Sequence, residues 1–483
     1  MPQILFGQQA SGEETLAGAP SVARNVLVDG HGVVIRRPGI KAPTDLPTTA
    51  IDADGIAGLY SPQDGITDLV AVGGGSTRKI YRVKSTGADD LSTGPASDLR
   101  GRNRPVFAET ESAIIIAGGE EPQKVFTGQW PADNTAYLSS RLANAPRSTH
   151  VASNGARVIS NNRDIIDRVN YSDKGAGSSF AGHEDWTPRP EGPGGFFSGE
   201  SRPDPVVGLY QAGRELFVMG TRTVEVWAPD AQSIYLPVVT REIGCASAYG
   251  VIGVDQGMAW LDPERRFQIS DGRSFTDITG PMHETFLGLS RVDDVWGFRA
   301  ILGKAECLVW VFPAAKQAFC YQKGGGWSQW DGWDGSAYKA LDINCHVRRR
   351  DQADDILGMT DGRLGVLSLD ATDDLGDPIQ AYVTSGHQSH KTLARKWCKS
   401  VRLSFAVRDL AAGETAEVLL SYRDNLGAYG PPLHIRIDSG DREPVVTFRG
   451  LGTYRQRDWK LTYIGSAKVA LVGMTEDHAT LGV

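Results

Sequence analysis

Seven times along the chain a short apolar run is followed by a turn rich in Gly, Asp, Asn or Ser and then by a second run. Asp68-Leu69-Val70-Ala71-Val72 leads through Gly73-Gly74-Gly75 into Lys79-Ile80-Tyr81-Arg82-Val83. The same grammar joins Ala113–Ala117 to Lys124-Val125-Phe126, Gly155–Ile159 to Val169-Asn170-Tyr171, and Arg214–Met219 to Thr223–Trp227. It returns at Gly257–Leu261 with Arg266–Ile269, Cys307–Phe312 with Ala318–Tyr321, and Asp355–Met359 with Leu364–Leu367. β-Branched runs punctuated by residues that tolerate positive φ are hairpins. Their spacing of about 40 to 60 residues is that of a repeat built from one small sheet per unit. Such a sheet cannot bury both faces alone, and radial stacking covers them. The expected fold is therefore all-β: a β-propeller of seven blades, with six or eight as the alternatives.

Composition narrows the reading. Of 483 residues, 40% are hydrophobic, enough for packed cores. With 50 Lys+Arg against 58 Asp+Glu the net charge is −8, which argues against a protein that grips phosphate backbones. The longest apolar stretches, such as Ala113-Ile114-Ile115-Ile116-Ala117, fall far short of the roughly 20 residues of a spanning helix, so no membrane insertion is expected. Met1–Gly7 has neither the basic nor the apolar region of a secretory signal. Cys245, Cys307, Cys320, Cys345 and Cys398 are odd in number and form no Cys-x-x-Cys pair, so they read as reduced, half-buried fillers.

Residues 1–45 read as an extended segment feeding the propeller, which occupies 46–385. Within it, 172–204 is Gly/Pro-rich, with Gly175, Gly177, Pro188, Pro190, Pro193, Gly194 and Gly195, and reads as a long surface loop. One linking helix is expected from Pro281 through Met282–Leu287. From 371 to 396 the chain turns polar and then basic, with His387, His390, Lys391, Arg395 and Lys396. After it, Lys399–Val407, Ala416–Tyr422, Leu433–Ile437, Trp459–Tyr463 and Val469–Val472 alternate as strands. Residues 386–483 therefore read as a C-terminal antiparallel β-sandwich able to fold on its own.

No catalytic constellation emerges. Gly-x-Ser-x-Gly is absent, and Gly303-Lys304 lacks the spacing of a phosphate-binding loop. Gly73-Gly74-Gly75-Ser76-Thr77 lies between strands and reads as a hairpin turn rather than a phosphate cradle. His387-Gln388-Ser389-His390 offers two imidazoles without a visible third metal ligand. Asp54-Gly55, Asp271-Gly272 and Asp361-Gly362 read as turn devices. The acidic stretch Asp370–Asp377 lacks the glycine and terminal glutamate of a calcium loop. Ser421–Tyr429 is similar to the Asp-box hairpin of sialidases, itself structural. Trp327, Trp330 and Trp333 are expected to wedge between blades rather than to bind sugar rings. No catalytic, metal-ligating or cofactor-binding residue is expected, no cofactor is implied, and no partner-binding residue stands out.

Several strings in order resemble a known family. Arg24–Gly30 leading to Arg36-Arg37-Pro38-Gly39-Ile40 looks like the opening of the tail hub, or nozzle, proteins of short-tailed bacteriophages, also called packaged DNA stabilisation proteins. Pro205–Tyr210, Glu215–Gly220 and Thr223–Trp227 resemble that family's central blade, and Gly244-Cys245-Ala246-Ser247 and Asp271-Gly272 continue the register. Gly450-Leu451-Gly452-Thr453-Tyr454-Arg455-Gln456-Arg457-Asp458-Trp459 is similar to a motif of the last domain. The resemblance implies a structural virion protein, assembled in the host cytoplasm as a homo-hexamer below the portal and head–tail adaptor. Such a ring extends the DNA channel without sequence-specific binding, retains the packaged genome and anchors tail spikes or fibres. It implies no enzyme. The competing readings are a glycan-binding or glycan-cleaving propeller, which needs an arginine cluster or carboxylate pair at one blade mouth, and a cellular scaffold propeller of the WD type. For the last, the expected Gly-His and Trp-Asp punctuation of each blade is missing, although Trp330-Asp331 and Trp333-Asp334 occur side by side in one place.

Overall fold

The computed structural model describes residues 3–4, 22–28, 33–63, 68–92, 98–111, 113–126, 139–174, 181–188, 191–198, 204–230, 234–255, 257–408, 410, 415–438, 442–465 and 468–481. Each of the seven hairpins forms the second and third strands of a four-stranded antiparallel blade; five of the blades are separate sheets, and the other two continue into further strands. Blades I to V span 56–90, 106–141, 151–198, 206–241 and 252–277. Blade VI runs from Trp296 to Trp330. Blade VII takes three strands from Ile343 to Ser368, and its fourth is Gly39–Lys41, which pairs antiparallel with Val366–Ser368. The ring is thus closed by the start of the chain, and the count among the described residues is seven blades.

Middle strands are apolar on both faces because each faces two neighbouring blades. In Leu69–Gly73 every residue is buried. Leu69 and Ala71 pack with Cys345 and Ile356 of blade VII, while Val70 and Val72 pack with Ile114 and Ile116 of blade II. The two-residue side-chain period sends alternate residues into alternate cores. Corresponding clusters fill each remaining interface, including Ile115 with Val158 between blades II and III and Phe217 with Trp260 between IV and V. Between V and VI, Phe267 packs its ring 4.4 Å from Trp310 and 4.8 Å from Trp327, centroid to centroid. The expected helix, His283–Leu287, lies in the connection between these blades and contributes Phe286 to the same cluster.

The C-terminal part is a two-sheet sandwich. One sheet has the order Val26–Val28, Val34–Arg36, Lys468–Thr480, Lys396–Arg408, Val445–Arg449. The other contains Ala381–Gln388, Arg457–Ile464, Thr415–Asp424 and Leu433–Asp438. Between them lie Val26, Val34, Leu403, Leu420, Trp459 and Leu471, all buried. The N-terminal segment is therefore more than a feed to the propeller. Its strands belong to the sandwich, and the sandwich begins at Ala381, ahead of residue 386. The two parts also share a sheet. Arg24 pairs parallel with Gln329 at the edge of blade VI and antiparallel with Tyr382. Close approach matters here: a Cβ on Gly325 would sit 1.7 Å from the Val28 carbonyl oxygen.

Of the 172–204 segment, residues 172–194 connect the last two strands of blade III. The connection contains a 3-10 turn at Ala181–Glu184, and Gly195–Ser198, read from sequence as loop, is the outer strand of the blade. Gly175, Gly177 and Pro190 lie outside the described residues. No helix among the described residues is long and apolar enough to cross a membrane.

Candidate functional site: the propeller axis and its junction with the sandwich

The first strands of the blades surround an axial cavity of about 430 Å³. Aromatic rings and cations fill its surroundings. Tyr249 stacks on His150 at 5.0 Å between centroids, and Tyr210 meets the same imidazole edge-on at 5.7 Å. The Arg104 guanidinium sits 4.5 Å from the Trp296 ring centroid and donates through Nη1 to the Asn344 carbonyl. Phe298 stacks on His346, whose Nε2 lies 3.0 Å from Asp355 Oδ1. Arg348 donates to the other oxygen of Asp355 at 2.8 Å. Burial lowers the His150 pKa to about 3, so its ring is neutral, and lowers that of Arg104 to about 10.

This axis can hold an ion or a small molecule but is too narrow for duplex DNA; its volume is that of a ligand pocket. Among the described residues the lining contains no aspartate or glutamate. The cavity wall therefore lacks the paired carboxylates of a glycosidase.

At the junction, the string Arg24-Asn25 to Arg36-Arg37-Pro38 forms a buried polar clamp. Asn25 adopts φ 54°, which turns its side chain toward Arg37. Its Oδ1 accepts from Arg37 Nε at 2.9 Å and from the Asp331 N–H at 2.8 Å, while Nδ2 donates to the Gln380 carbonyl. Arg37 Nη2 donates to the Asp331 carbonyl at 3.0 Å, and both Nη1 and Nη2 reach the Asp374 carboxylate. Arg24 Nε donates to Asp331 Oδ2 at 2.8 Å. Burial raises the Asp331 pKa, against the pull of Arg24. One clamp thus ties the end of blade VI, the hairpin after blade VII and the entry to the sandwich.

The C-terminal string builds a second buried network. Arg457 Nε and Nη2 donate to both oxygens of Asp424, and Nη2 also donates to the Leu451 carbonyl. Asp458 accepts from Arg423 and from the Tyr429 hydroxyl. Tyr454 donates through its hydroxyl to Glu476 Oε1, and Trp459 Nε1 donates to Glu476 Oε2. Beside them, His390, Glu476 and His478 bring one potential ligand atom each within 4.8 Å of one another. Of the pair His387/His390, only His390 joins this group. His387 lies opposite Asp458 on a neighbouring strand. The sequence reading missed Glu476 and His478. Their i, i+2 spacing on a strand puts both on one face, a signal too common to single out without the fold.

The remaining residues singled out from sequence take structural places. Asp271 Oδ1 accepts the N–H groups of Arg273 and Ser274, which pull its carboxyl down to about 2, and Gly272 follows at φ 89°. Asp361 accepts the N–H of Arg363 across Gly362, whereas at Asp54-Gly55 the acceptor is Asp52, which takes the Asp54 N–H, and Gly55 follows at φ 91°. Gly73–Gly75 abut the carboxylates of Asp52 and Asp54, an environment hostile to phosphate. Trp327 and Trp330 are buried in cores. In the acidic stretch, Asp374 serves Arg37 and Asp377 serves Lys339. The Ser421–Tyr429 turn holds Asn425 and Leu426 at positive φ, with Asn425 N–H on the Gln456 carbonyl. All five cysteines are free and buried, more completely than expected.

No protein-family model matches the chain. No curated protein matches its sequence. Among solved structures, the chain is similar to the Pan2 WD40 domain of Neurospora crassa, with 8% identity, a TM-score of 0.39, and coverage of 68% of this chain and 96% of that one. It is also similar to "KlHsv2 with loop 6CD replaced by a Gly-Ser linker", with 8% identity, a TM-score of 0.34, and coverage of 64% and 97%. The strand pairing described above carries the propeller assignment by itself.

Proposed function

We propose that the chain is a tail hub, or nozzle, subunit of a short-tailed bacteriophage. It acts as a structural virion protein that forms a homo-hexamer below the portal and adaptor, extends the DNA channel, retains the genome and anchors spikes or fibres. The observation that carries this reading is where the resembling strings fall. The opening string makes the Asn25–Arg37–Asp331–Asp374 clamp, and the closing one makes the Arg457–Asp424 and Tyr454–Glu476 contacts. The first ties the propeller to the sandwich and the second holds the sandwich strands together, so the resembling strings, which occur in the family's order, are structural ones.

The role is mechanical. Because the axial cavity of each propeller, at about 430 Å³, is too small for duplex DNA, a DNA passage has to be formed between copies. Six copies at −8 give a ring near −50, which disfavours sticking of the phosphate backbone. Confined DNA pushes outward, and a ring occupying its path opposes the push without a chemical step. The test is native mass measurement of assembled tails together with phage lacking the gene. Six copies per tail, and heads that package DNA and then lose it, are expected. One or twelve copies, or gene-deleted particles that keep their genomes and infect, would overturn the proposal.

A further inference from the structure

We propose that His390, Glu476 and His478 bind one divalent transition-metal ion of the zinc class, which staples the loop entering the Lys396–Arg408 strand to the C-terminal strand of the sandwich. Two imidazoles and a carboxylate are a donor set suited to zinc, with room for a fourth ligand from water. The Glu476 side chain is fully buried and His390 retains 9% of its side-chain exposure, so neither is a solvated surface group. Buried polar atoms normally have partners. Here His390 Nε2 and His478 Nδ1 have no hydrogen-bond partner.

His390 Nε2 lies 3.6 Å from Glu476 Oε2, too far for a good hydrogen bond. Tetrahedral ligands at about 2.0–2.1 Å from zinc stand about 3.3–3.4 Å apart, so the His390–Glu476 pair is already near that spacing, and the group, which spans up to 4.8 Å, closes round the ion on binding. The imidazoles of His390 and His478 stack with centroids 4.2 Å apart. The orienting contacts of a metal site are also in place. Tyr454 and Trp459 each hold one oxygen of Glu476. The nearby Lys396 ammonium donates to the carbonyls of Thr392, Ala394 and Arg455 and makes no ion pair with Glu476 among the described contacts.

The experiment uses the full-length chain, stripped with chelator and titrated with Zn²⁺ and Co²⁺. One equivalent should bind, the melting transition should rise, and Co²⁺ should give the visible bands of a low-coordinate site. His390→Ala and His478→Ala should each weaken binding at least tenfold. His434→Ala, in an exposed His434–Glu417 pair elsewhere in the sandwich, should leave it unchanged. Because the first two variants can misfold, X-ray absorption at the zinc edge of the wild-type protein decides independently. Two imidazoles with light oxygen or nitrogen neighbours are expected. Sulfur in the shell would assign the ion to a cysteine such as Cys398 and overturn the proposal, as would the absence of stoichiometric binding or binding indifferent to both histidine substitutions.

Discussion

Arg37 and Asp374 stand 337 residues apart in sequence and are joined by two hydrogen bonds, Nη1 to Oδ1 at 3.0 Å and Nη2 to Oδ2 at 2.6 Å. Arg37 is almost wholly buried, and its remaining donors go to Asn25 Oδ1 and to the carbonyls of Pro38 and Asp331. The fork thus reaches three parts of the chain: the N-terminal segment, the end of blade VI and the hairpin after blade VII. Removing the fork leaves Asp374 and the Asp331 carbonyl short of partners in a site from which water is largely excluded.

Arg37→Ala is therefore predicted to cost about 3–5 kcal/mol, the range for breaking one side of a buried pair. Arg37→Lys should recover only part of this, since an ammonium cannot make the bidentate contact. Thermal or denaturant unfolding of the three proteins checks it. A melting curve for Arg37→Ala that overlays the wild type would mean that the clamp contributes nothing.

A second prediction concerns deletion of residues 386–483. A sandwich built only from its own strands would leave a soluble propeller behind. Here Val26, Val28 and Val34 belong to the sandwich core, and Ala23–Arg24 bridges its second sheet to blade VI. The deletion should expose these residues and the edge of the remaining Ala381–Ser385, giving an aggregating product. Soluble expression with a cooperative melt would show that the shared sheet is dispensable.

The buried His150 predicts an acid-sensitive propeller. Its folded pKa of about 3 lies below the ordinary value of 6.5 because burial disfavours the charged ring. A depressed histidine stays neutral in the fold while the unfolded chain takes up a proton. Its contribution is complete above about pH 6.5 and is lost as the pH falls toward 3. At pH 5 the loss is about 2 kcal/mol. His150→Phe, which keeps a ring against Tyr249 and cannot titrate, should show a correspondingly smaller drop between pH 7.5 and 5. Denaturant midpoints at the two pH values measure the difference. Equal drops in both proteins would contradict the assignment.

How much of this was legible beforehand depends on the range of each interaction. The hairpins were readable because strand, turn and strand are local, as in Leu261 to Phe267, where the turn residues lie between the paired strands. Gly39–Lys41 was not readable as part of blade VII. Three residues carry no periodicity, and the partner strand lies more than 300 positions away. The same holds for Ala23–Arg24, whose two residues decide that propeller and sandwich share a sheet. His390 was visible as half of a histidine pair, yet its neighbours come from the far end of the chain. The pairing of Cys398 with His478 across the long strands places them together, and only the fold supplies that register.

The last prediction is weak binding to duplex DNA, and the structure sharpens the reason. From sequence the densest basic runs are Arg348-Arg349-Arg350 and the stretch from Lys391 to Lys399. In the fold much of that charge is internally engaged. Arg348 pairs with Asp355, and the buried Arg349 pairs with Asp45 and Asp351. Lys396 is buried and donates to three carbonyls. A phosphate that approached these groups would have to displace a carboxylate or a backbone oxygen already in place, with no counterion released from the protein side to repay it. Retention of a labelled duplex at about 150 mM salt should therefore be no tighter than the ~10⁻⁴–10⁻⁶ M of non-specific binders, and its salt slope should be shallow. Arg348→Ala should leave that weak binding unchanged while lowering stability, because it strips a partner from buried Asp355. Submicromolar affinity with a steep salt slope would mean that a basic surface is assembled elsewhere, and the picture of a non-sticking passage would fail with it.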